Sequence, residues 1–205
     1  VVYATAVHDA SNARILLYGG QTYYDLVADL TAYNLTTSSW EAYTPTGVGP
    51  GGRRGHGAIF DSVSKRMLVF GGEAFYSLSN EVFSLAADTV GAEHWSLLSP
   101  SGLAPDPRVG AAVVYDEAES RMLVTGGQGY YGLLTDVWSL DLTSTEAAVW
   151  GELSLSGDVG GGRMFAASAF DPVNRALLMF GGQGLYETHA SALCLDMTTM
   201  TWTTA

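Results

Sequence analysis

The apolar residues of this chain come in short bursts rather than at helical spacing. Runs such as RILLY, RMLVF, RMLVT and ALLMF are β-branched or aromatic-rich and short, and clusters such as TPTGVGPGG and LSPSGLAPDP bound them. Bursts of that length, closed by Gly, Pro, Asn and Ser, predict strands joined by turns; no amphipathic helix stands out.

The bursts repeat. A glycine pair recurs at Gly19-Gly20, Gly71-Gly72, Gly126-Gly127 and Gly181-Gly182, spaced by 52, 55 and 55 residues. Ten residues before each pair stands an aspartate, Asp9, Asp61, Asp116 or Asp171. A tryptophan follows the second glycine by 20, 23, 23 and 20 residues, at Trp40, Trp95, Trp150 and Trp202. Each copy therefore predicts four strands in order: A up to the aspartate, B ending at the glycine pair, C in phrases such as DLTAYNL and DVWSLDL, and D with the tryptophan. Four antiparallel strands per copy make a propeller blade, with approximate limits 1–50, 51–105, 106–160 and 161–205 in a single domain spanning 1–205.

The phased ILLYGG, MLVFGG and LLMFGG motifs, the trailing tryptophan and the Arg-x-x-His of Arg53 and His56 resemble the kelch repeat across the whole chain. The fold class this implies is all-β, a kelch-type β-propeller with four blades of four antiparallel strands. The chain starts in a strand A and ends in a strand D. Four repeats fit a four-bladed ring, an arc of a larger propeller or half of a two-chain assembly; the expectation adopted is part of a larger protein or assembly. Apolar terminal blade faces would follow from an open arc.

Most repeated features have architectural roles. The glycine pair suits positive φ and close backbone approach where strand B ends. Asp9/Arg14, Asp61/Arg66 and Asp116/Arg121 span a tight A–B hairpin as cross-strand ion pairs worth about 0.2–1 kcal/mol each; in the fourth copy the pair shifts to Asp171/Arg175. The repeat tryptophans are expected to pack between blades, with Trp138 an extra in strand C. Small residues in the A strands, such as Ala111-Ala112 and Ala166-Ala167-Ser168, fit crowding near a propeller axis.

Composition narrows the chemistry. A formal charge of −12, with Lys65 the single lysine among 9 cationic residues, argues against general affinity for nucleic acid or anionic membranes. Cys194 alone cannot form an intrachain disulfide or a cysteine-rich zinc site. No run approaches a membrane span and no targeting signal is visible, so membrane insertion is not expected and the compartment stays open. A lone sequon, Asn34-Leu35-Thr36, is compatible with secretion without fixing it.

Arg121–Gly132, RMLVTGGQGYYG, has the spacing of a dinucleotide loop, but the next phrase is a strand, whereas a phosphate cradle needs a helix N-terminus; Gly47 to Gly52 fails in the same way. His8, His56, His94 and His189 fall at four different phrases and form no metal set. The ligands of a galactose-oxidase-type copper site cannot be placed, and no G-x-S-x-G elbow occurs. No catalytic residue, metal or cofactor is implied, and a metal-dependent kelch enzyme is the least favoured reading.

An A-B-C-D meander puts the B–C and D–A connections on one face. There the B–C loops bring Tyr23, Tyr24, Phe75, Tyr76, Tyr130, Tyr131 and Tyr186, and the D–A connections bring Arg53, Arg54, His56, Arg108 and Arg163. Tyrosine and arginine are favoured hot-spot residues, and the resemblance to kelch substrate adaptors implies a protein or peptide partner, including acidic ones. Two readings of the arginines stand: a cationic patch, or guanidinium groups hydrogen-bonded to loop carbonyls of the adjacent blade. The tyrosines likewise either contact a partner or pack the loops. The function expected is a non-catalytic interaction scaffold; the alternative is a carbohydrate-binding module on the tyrosine loops.

Overall fold

The computed structural model describes residues 1–144 and 147–204; Thr145, Glu146 and Ala205, within the third and fourth expected repeats, lie outside the described residues. The chain forms two compact units, Val1–Ser99 and Pro100–Ala205. Each contains two antiparallel blades. Among the described residues the helical content is one 3-10 turn at Ala10–Asn12.

In the first unit, β1 (Thr5–Asp9), β2 (Arg14–Tyr18), β3 (Leu30–Asn34) and β4 (Ser39–Tyr43) form one sheet in chain order. The linker then contributes β5 (Thr46–Gly47), followed by β6 (Gly57–Asp61), β7 (Arg66–Phe70), the small hairpin β8 (Glu73–Ala74) and β9 (Ser77–Leu78), β10 (Val82–Ala86) and β11 (His94–Leu97). The second sheet runs β5-β11-β10-β7-β6, with β5 parallel to the outermost strand.

The second unit repeats the plan. It holds β12 (Ala112–Asp116), β13 (Arg121–Thr125), the hairpin β14 (Gln128–Gly129) and β15 (Gly132–Leu133), β16 (Val137–Asp141) and β17 (Val149–Glu152). After these come β18 (Ser156–Gly157), β19 (Ala167–Asp171), β20 (Ala176–Phe180), β21 (Ala192–Asp196) and β22 (Thr201–Thr204). Its sheets run β12-β13-β16-β17 and β18-β22-β21-β20-β19.

Alternation along each strand sends one row of side chains to each face. In the first unit Leu16, Tyr18, Leu30 and Ala32 are buried against Met67, Val69, Phe83, Leu85 and Trp95. In the second, Ala112, Val114, Leu123 and Val137 meet Leu177, Met179, Leu193, Leu195 and Trp202. In both, the tryptophan-bearing face of the later blade covers the opposite face of the earlier one. Trp95 and Trp202 are accordingly buried, and Trp150 is buried too. Trp40 departs from the expectation: it is 63% exposed, tilted against Tyr33 with ring centroids 5.2 Å apart, because the face carrying it is solvent-facing.

The expected ion pairs form, but inside the fold rather than on its surface. Arg14 Nε donates to Asp9 at 2.8 Å and Arg14 Nη1 to Glu93 at 2.7 Å, with both Asp9 and Arg14 almost fully buried. Arg66–Asp61 and Arg121–Asp116 follow at 3.0 Å. Burial raises the stakes: an intact pair is near neutral against an apolar replacement, but a broken one leaves a buried charge.

The fourth pair does not form. Ala13, Lys65, Ser120 and Arg175 occupy the left-handed position of the A–B turn, with φ between +47 and +53. A residue there lies outside the ladder; Asp171 pairs with Ala176 instead. Arg175 turns to Asp116 and Glu119, at 3.0 and 3.3 Å, while Asp171 caps its own turn through Val173 and Asn174.

Glycine is required at the pairs: Gly72 has φ +87, and a Cβ there would sit 2.9 Å from the Arg54 carbonyl and the His56 amide. A second use was not recognised in the sequence. Thr46-Gly47 and Ser156-Gly157 have positive φ at the glycine and lie against the carbonyls of Trp95 and Trp202, where a Cβ would collide. Ser101 makes the same parallel bridge to Val149.

Candidate functional site

The B–C connections carry the exposed aromatics. In the first blade Thr22 Oγ1 accepts hydrogen bonds from the amides of Tyr24 and Asp25, which turns the chain tightly. Tyr23 and Tyr24 stand out from that turn, 89% and 85% exposed, with their rings edge to face at 4.8 Å. In the second blade the β8–β9 hairpin is closed by Phe75 and Tyr76, at φ +44 and +67. Bulky residues pay backbone strain of order 1–3 kcal/mol in that region, yet both rings are exposed.

Tyr24, Phe75 and Tyr76 rim a cleft of about 220 Å³ floored by Gln21, Arg54 and Glu73. Arg54 is held from three sides. Its Nε and Nη2 donate to Glu73 Oε2 at 2.9 and 2.7 Å, and Nη1 to Gln21 Oε1 at 2.8 Å. Backbone bonds between residues 54 and 73 fix the pair further. The floor is thus a neutralised, half-exposed ion pair rather than a bare cation.

In the second unit Tyr130 and Tyr131 tip the β14–β15 hairpin and border a cleft of about 280 Å³ with Asp106, Pro107, Leu133 and Leu134. Tyr131 is fully exposed. Tyr186, beside Leu185, is likewise exposed.

Arg53, Arg108 and Arg163 lie elsewhere than a surface patch. All three are buried, and each donates Nη1 to the carbonyl of the first glycine of a pair: Gly71 at 2.9 Å, Gly126 at 3.2 Å and Gly181 at 3.1 Å. Arg53 also bonds the Pro50 carbonyl and stacks over Phe83 at 5.1 Å. Arg108 forks onto Asp136 at 2.6 and 2.8 Å. Arg163 Nη1 and Nη2 reach Ser191 at 3.4 Å. The open choice made from the sequence resolves toward hydrogen bonding, with the difference that the bonded glycine belongs to the arginine's own repeat. These guanidinium groups brace the glycine pair, and the cationic patch contracts to Arg54.

His56 is also interior. Its Nε2 lies 2.7 Å from Thr5 Oγ1, its ring stands edge-on to Tyr18 at 5.6 Å, and its Nδ1 has no partner. Burial, aided by the Arg53 charge, pushes its pKa down to about 4, so it is neutral at physiological pH. Of the other histidines, His94 Nδ1 meets Thr46 Oγ1 at 2.8 Å and His189 lies 3.8 Å from Glu187. Among the described residues no group of three or more His, Cys, Asp or Glu side chains is arranged to hold a metal.

Two acids that pair with buried arginines, Asp136 and Glu93, were not picked out from the sequence. Asp136 stands at a position that repeats as Asp29, Glu81, Asp136 and Ser191, directly before strand C, and that recurrence was the available signal. Glu93, which accepts from Arg14 and from the Gly91 amide, has no counterpart in the repeat pattern and gave none.

Four-stranded antiparallel blades with buried outer-strand tryptophans at Trp95, Trp150 and Trp202 define a repeat propeller. The family model for the KLHDC2/KLHL20/DRC7 Kelch-repeats domain matches residues 3–205, and the chain belongs to the kelch-repeat family. It is 30% identical over 178 residues to multiple epidermal growth factor-like domains protein 8 of Homo sapiens, covering 82% of this chain and 6% of that protein. It is 28% identical over 184 residues to acyl-CoA-binding domain-containing protein 4 of Arabidopsis thaliana, covering 87% and 26%. With leucine-zipper-like transcriptional regulator 1 of Mus musculus it shares 25% over 178 residues, covering 82% and 20%. The chain therefore spans about a quarter or less of each of these relatives. The fold is an all-β kelch-type β-propeller and the family is one of interaction scaffolds. Among the described residues no helix is long and apolar enough to cross a membrane.

Proposed function

We infer that the chain is a non-catalytic protein- or peptide-binding scaffold whose contact surface is made by the B–C hairpin tips. The observation that carries this is the placement of Phe75 and Tyr76. Both are large and exposed, both sit in a strained left-handed turn, and both rim the Arg54–Glu73 cleft. Exposed aromatic area on a rigid turn suits binding, because ring contacts cost little side-chain entropy. With Arg54 neutralised by Glu73, the partner that fits is a peptide offering apolar or aromatic side chains and hydrogen-bonding groups; negative charge on it is secondary.

The test is affinity purification with the intact chain, followed by titration of the recovered partner against Tyr76→Ala and Tyr131→Ala. At least one substitution is expected to weaken binding about tenfold, the scale of a hot-spot aromatic. Unchanged affinity in both would remove the hairpin tips from the interface. Carbohydrate binding would use the same tyrosines; a glycan array giving a tyrosine-dependent signal would favour it over a peptide.

A further inference from the structure

Each unit carries more carboxylates than guanidinium groups on its B–C and D–A connections. In the first, Asp25, Asp29, Glu73 and Glu81 stand against Arg53 and Arg54. In the second, Asp106, Asp136, Asp158 and Glu187 stand against Arg108 and Arg163. Four acids against two arginines leave a formal charge of −2 in each unit, with histidine counted as neutral. The arginines offer little of their charge to a ligand. Three turn inward to glycine carbonyls, and Arg54 is matched by Glu73.

Two of the acids sit in the aromatic clefts without a counter-charge. In the first-unit cleft Asp25 is exposed. Its amide and carbonyl serve the Thr22 turn, while its carboxylate meets no hydrogen-bond or ion-pair partner among the described residues. In the same cleft Glu73 accepts both Arg54 bonds on Oε2, which leaves Oε1 as a second open acceptor. One balanced pair and one unmatched negative charge therefore lie among the Tyr24, Phe75 and Tyr76 rings. The second-unit cleft reaches the same balance with other residues. Asp106 is exposed, gives its carbonyl to Arg108 Nε at 2.9 Å, and keeps its carboxylate unpaired among the described residues. Tyr130, Tyr131 and Leu134 line the cleft with it, and no cationic side chain does.

We propose that the peptide bound at these tips is basic, and that each cleft takes a lysine or arginine side chain from it; this rests on the reading of the hairpin tips as the contact surface. Rings and a carboxylate in one cleft suit the two halves of such a side chain. Its methylene stem lies along a tyrosine ring, and its charged head meets the ring face and the carboxylate. An acidic side chain would face Asp25 or Asp106 with no unmatched cation to receive it. An apolar one would desolvate that carboxylate without pairing it. At longer range a chain of net charge −12 draws in a basic segment and repels an acidic one.

Random-peptide phage display on the intact chain supplies the probe, and the most enriched peptide is then labelled and titrated by fluorescence polarisation. Lysine or arginine beside apolar residues is expected to be enriched, with Asp and Glu depleted. Each cleft is tested with a tyrosine change and a carboxylate change: Tyr76→Ala and Asp25→Asn in one, Tyr131→Ala and Asp106→Asn in the other. Where the tyrosine change weakens binding, the carboxylate change is expected to weaken it about threefold or more at about 50 mM salt. At about 500 mM salt the carboxylate effect is expected to vanish, because screening removes it. Exchanging the peptide's cation for Glu should abolish binding to the wild type, and Asp25→Lys or Asp106→Lys should restore it. Unchanged thermal unfolding of the Asn variants shows that the loss is not misfolding. Binding that depends on a tyrosine but ignores its carboxylate, or enrichment of acidic or uncharged peptides, would overturn the basic partner and leave the tips as the surface. Binding indifferent to all four changes, or no enrichment of any peptide, would remove the surface itself and this proposal with it.

Discussion

Arg108→Ala separates a bracing arginine from a binding one. The Arg108 side chain is fully buried, forks onto Asp136, and bonds the carbonyls of Asp106 and Gly126. Removing one partner of a buried ion pair costs about 3–5 kcal/mol. Asp136 retains 21% exposure and a hydrogen bond from Trp138 at 2.7 Å, which selects the lower end, about 3 kcal/mol. For a chain of this length that is a fall in Tm of roughly 6–12 °C. The pH dependence adds a second signature. Burial tends to raise the Asp136 pKa, but the hydrogen bonds and charge of Arg108, with Trp138, hold it below the usual carboxylate range. Because the folded pKa is depressed, the pair stabilises above the unfolded value near 3.9 and that stability is lost as pH falls through the folded pKa. Without Arg108 the depression is smaller, so the acid-side loss of stability contributed by Asp136 shrinks and the gap between the variant and the wild type narrows as pH falls. Tyr131→Ala, at a fully exposed side chain, should change Tm by no more than about 2 °C. Thermal unfolding monitored by circular dichroism from pH 3 to 8 reads all of this. Wild-type stability in Arg108→Ala together with lost partner binding would refute the bracing role.

Three further outcomes follow from burial and backbone geometry. His56→Gln should flatten the stability profile between about pH 6.5 and 4, because a histidine held neutral in the fold and protonated when unfolded makes stability fall as pH drops through that window; urea titrations at fixed pH values would show it, and an unchanged slope would contradict the assignment. Gly72→Ala, forced into positive φ with its Cβ 2.9 Å from the Arg54 carbonyl, should cost at least about 1–3 kcal/mol by chemical denaturation. Trp95→Ala should cost about 3–5 kcal/mol and Trp40→Ala under about 1 kcal/mol in the isolated chain, a contrast that equal denaturation midpoints would deny.

The strands were legible because four copies share one phase: the glycine pair, aspartate and tryptophan fix where strands begin and end, and the observed ladders follow those marks. Burial was harder to see. Asp9 and Arg14 look like an ordinary hairpin ion pair until a neighbouring blade supplies Glu93 and closes over them, and no local pattern announces a contact with residue 93. Arg53, Arg108 and Arg163 look like surface cations because a D–A connection is a loop, yet each turns inward to a glycine carbonyl 18 residues away. The aromatic tips were legible as positions but not as conformations. A Phe-Tyr pair in a left-handed hairpin turn runs against residue preference and is visible only in the backbone.

The parallel strand contributed by each linker bears on how such proteins can be cut and rejoined. Thr46–Gly47 follows the last strand of one blade, yet its hydrogen bonds close the outer edge of the next, as Ser156–Gly157 does further along. A transplantable module therefore begins near residue 45 rather than at strand A, and a chimera joined at residue 51 would sever a blade from its own selvedge. Such a graft would leave β11 with unpaired backbone groups, the open hem along which sheet proteins cling to one another.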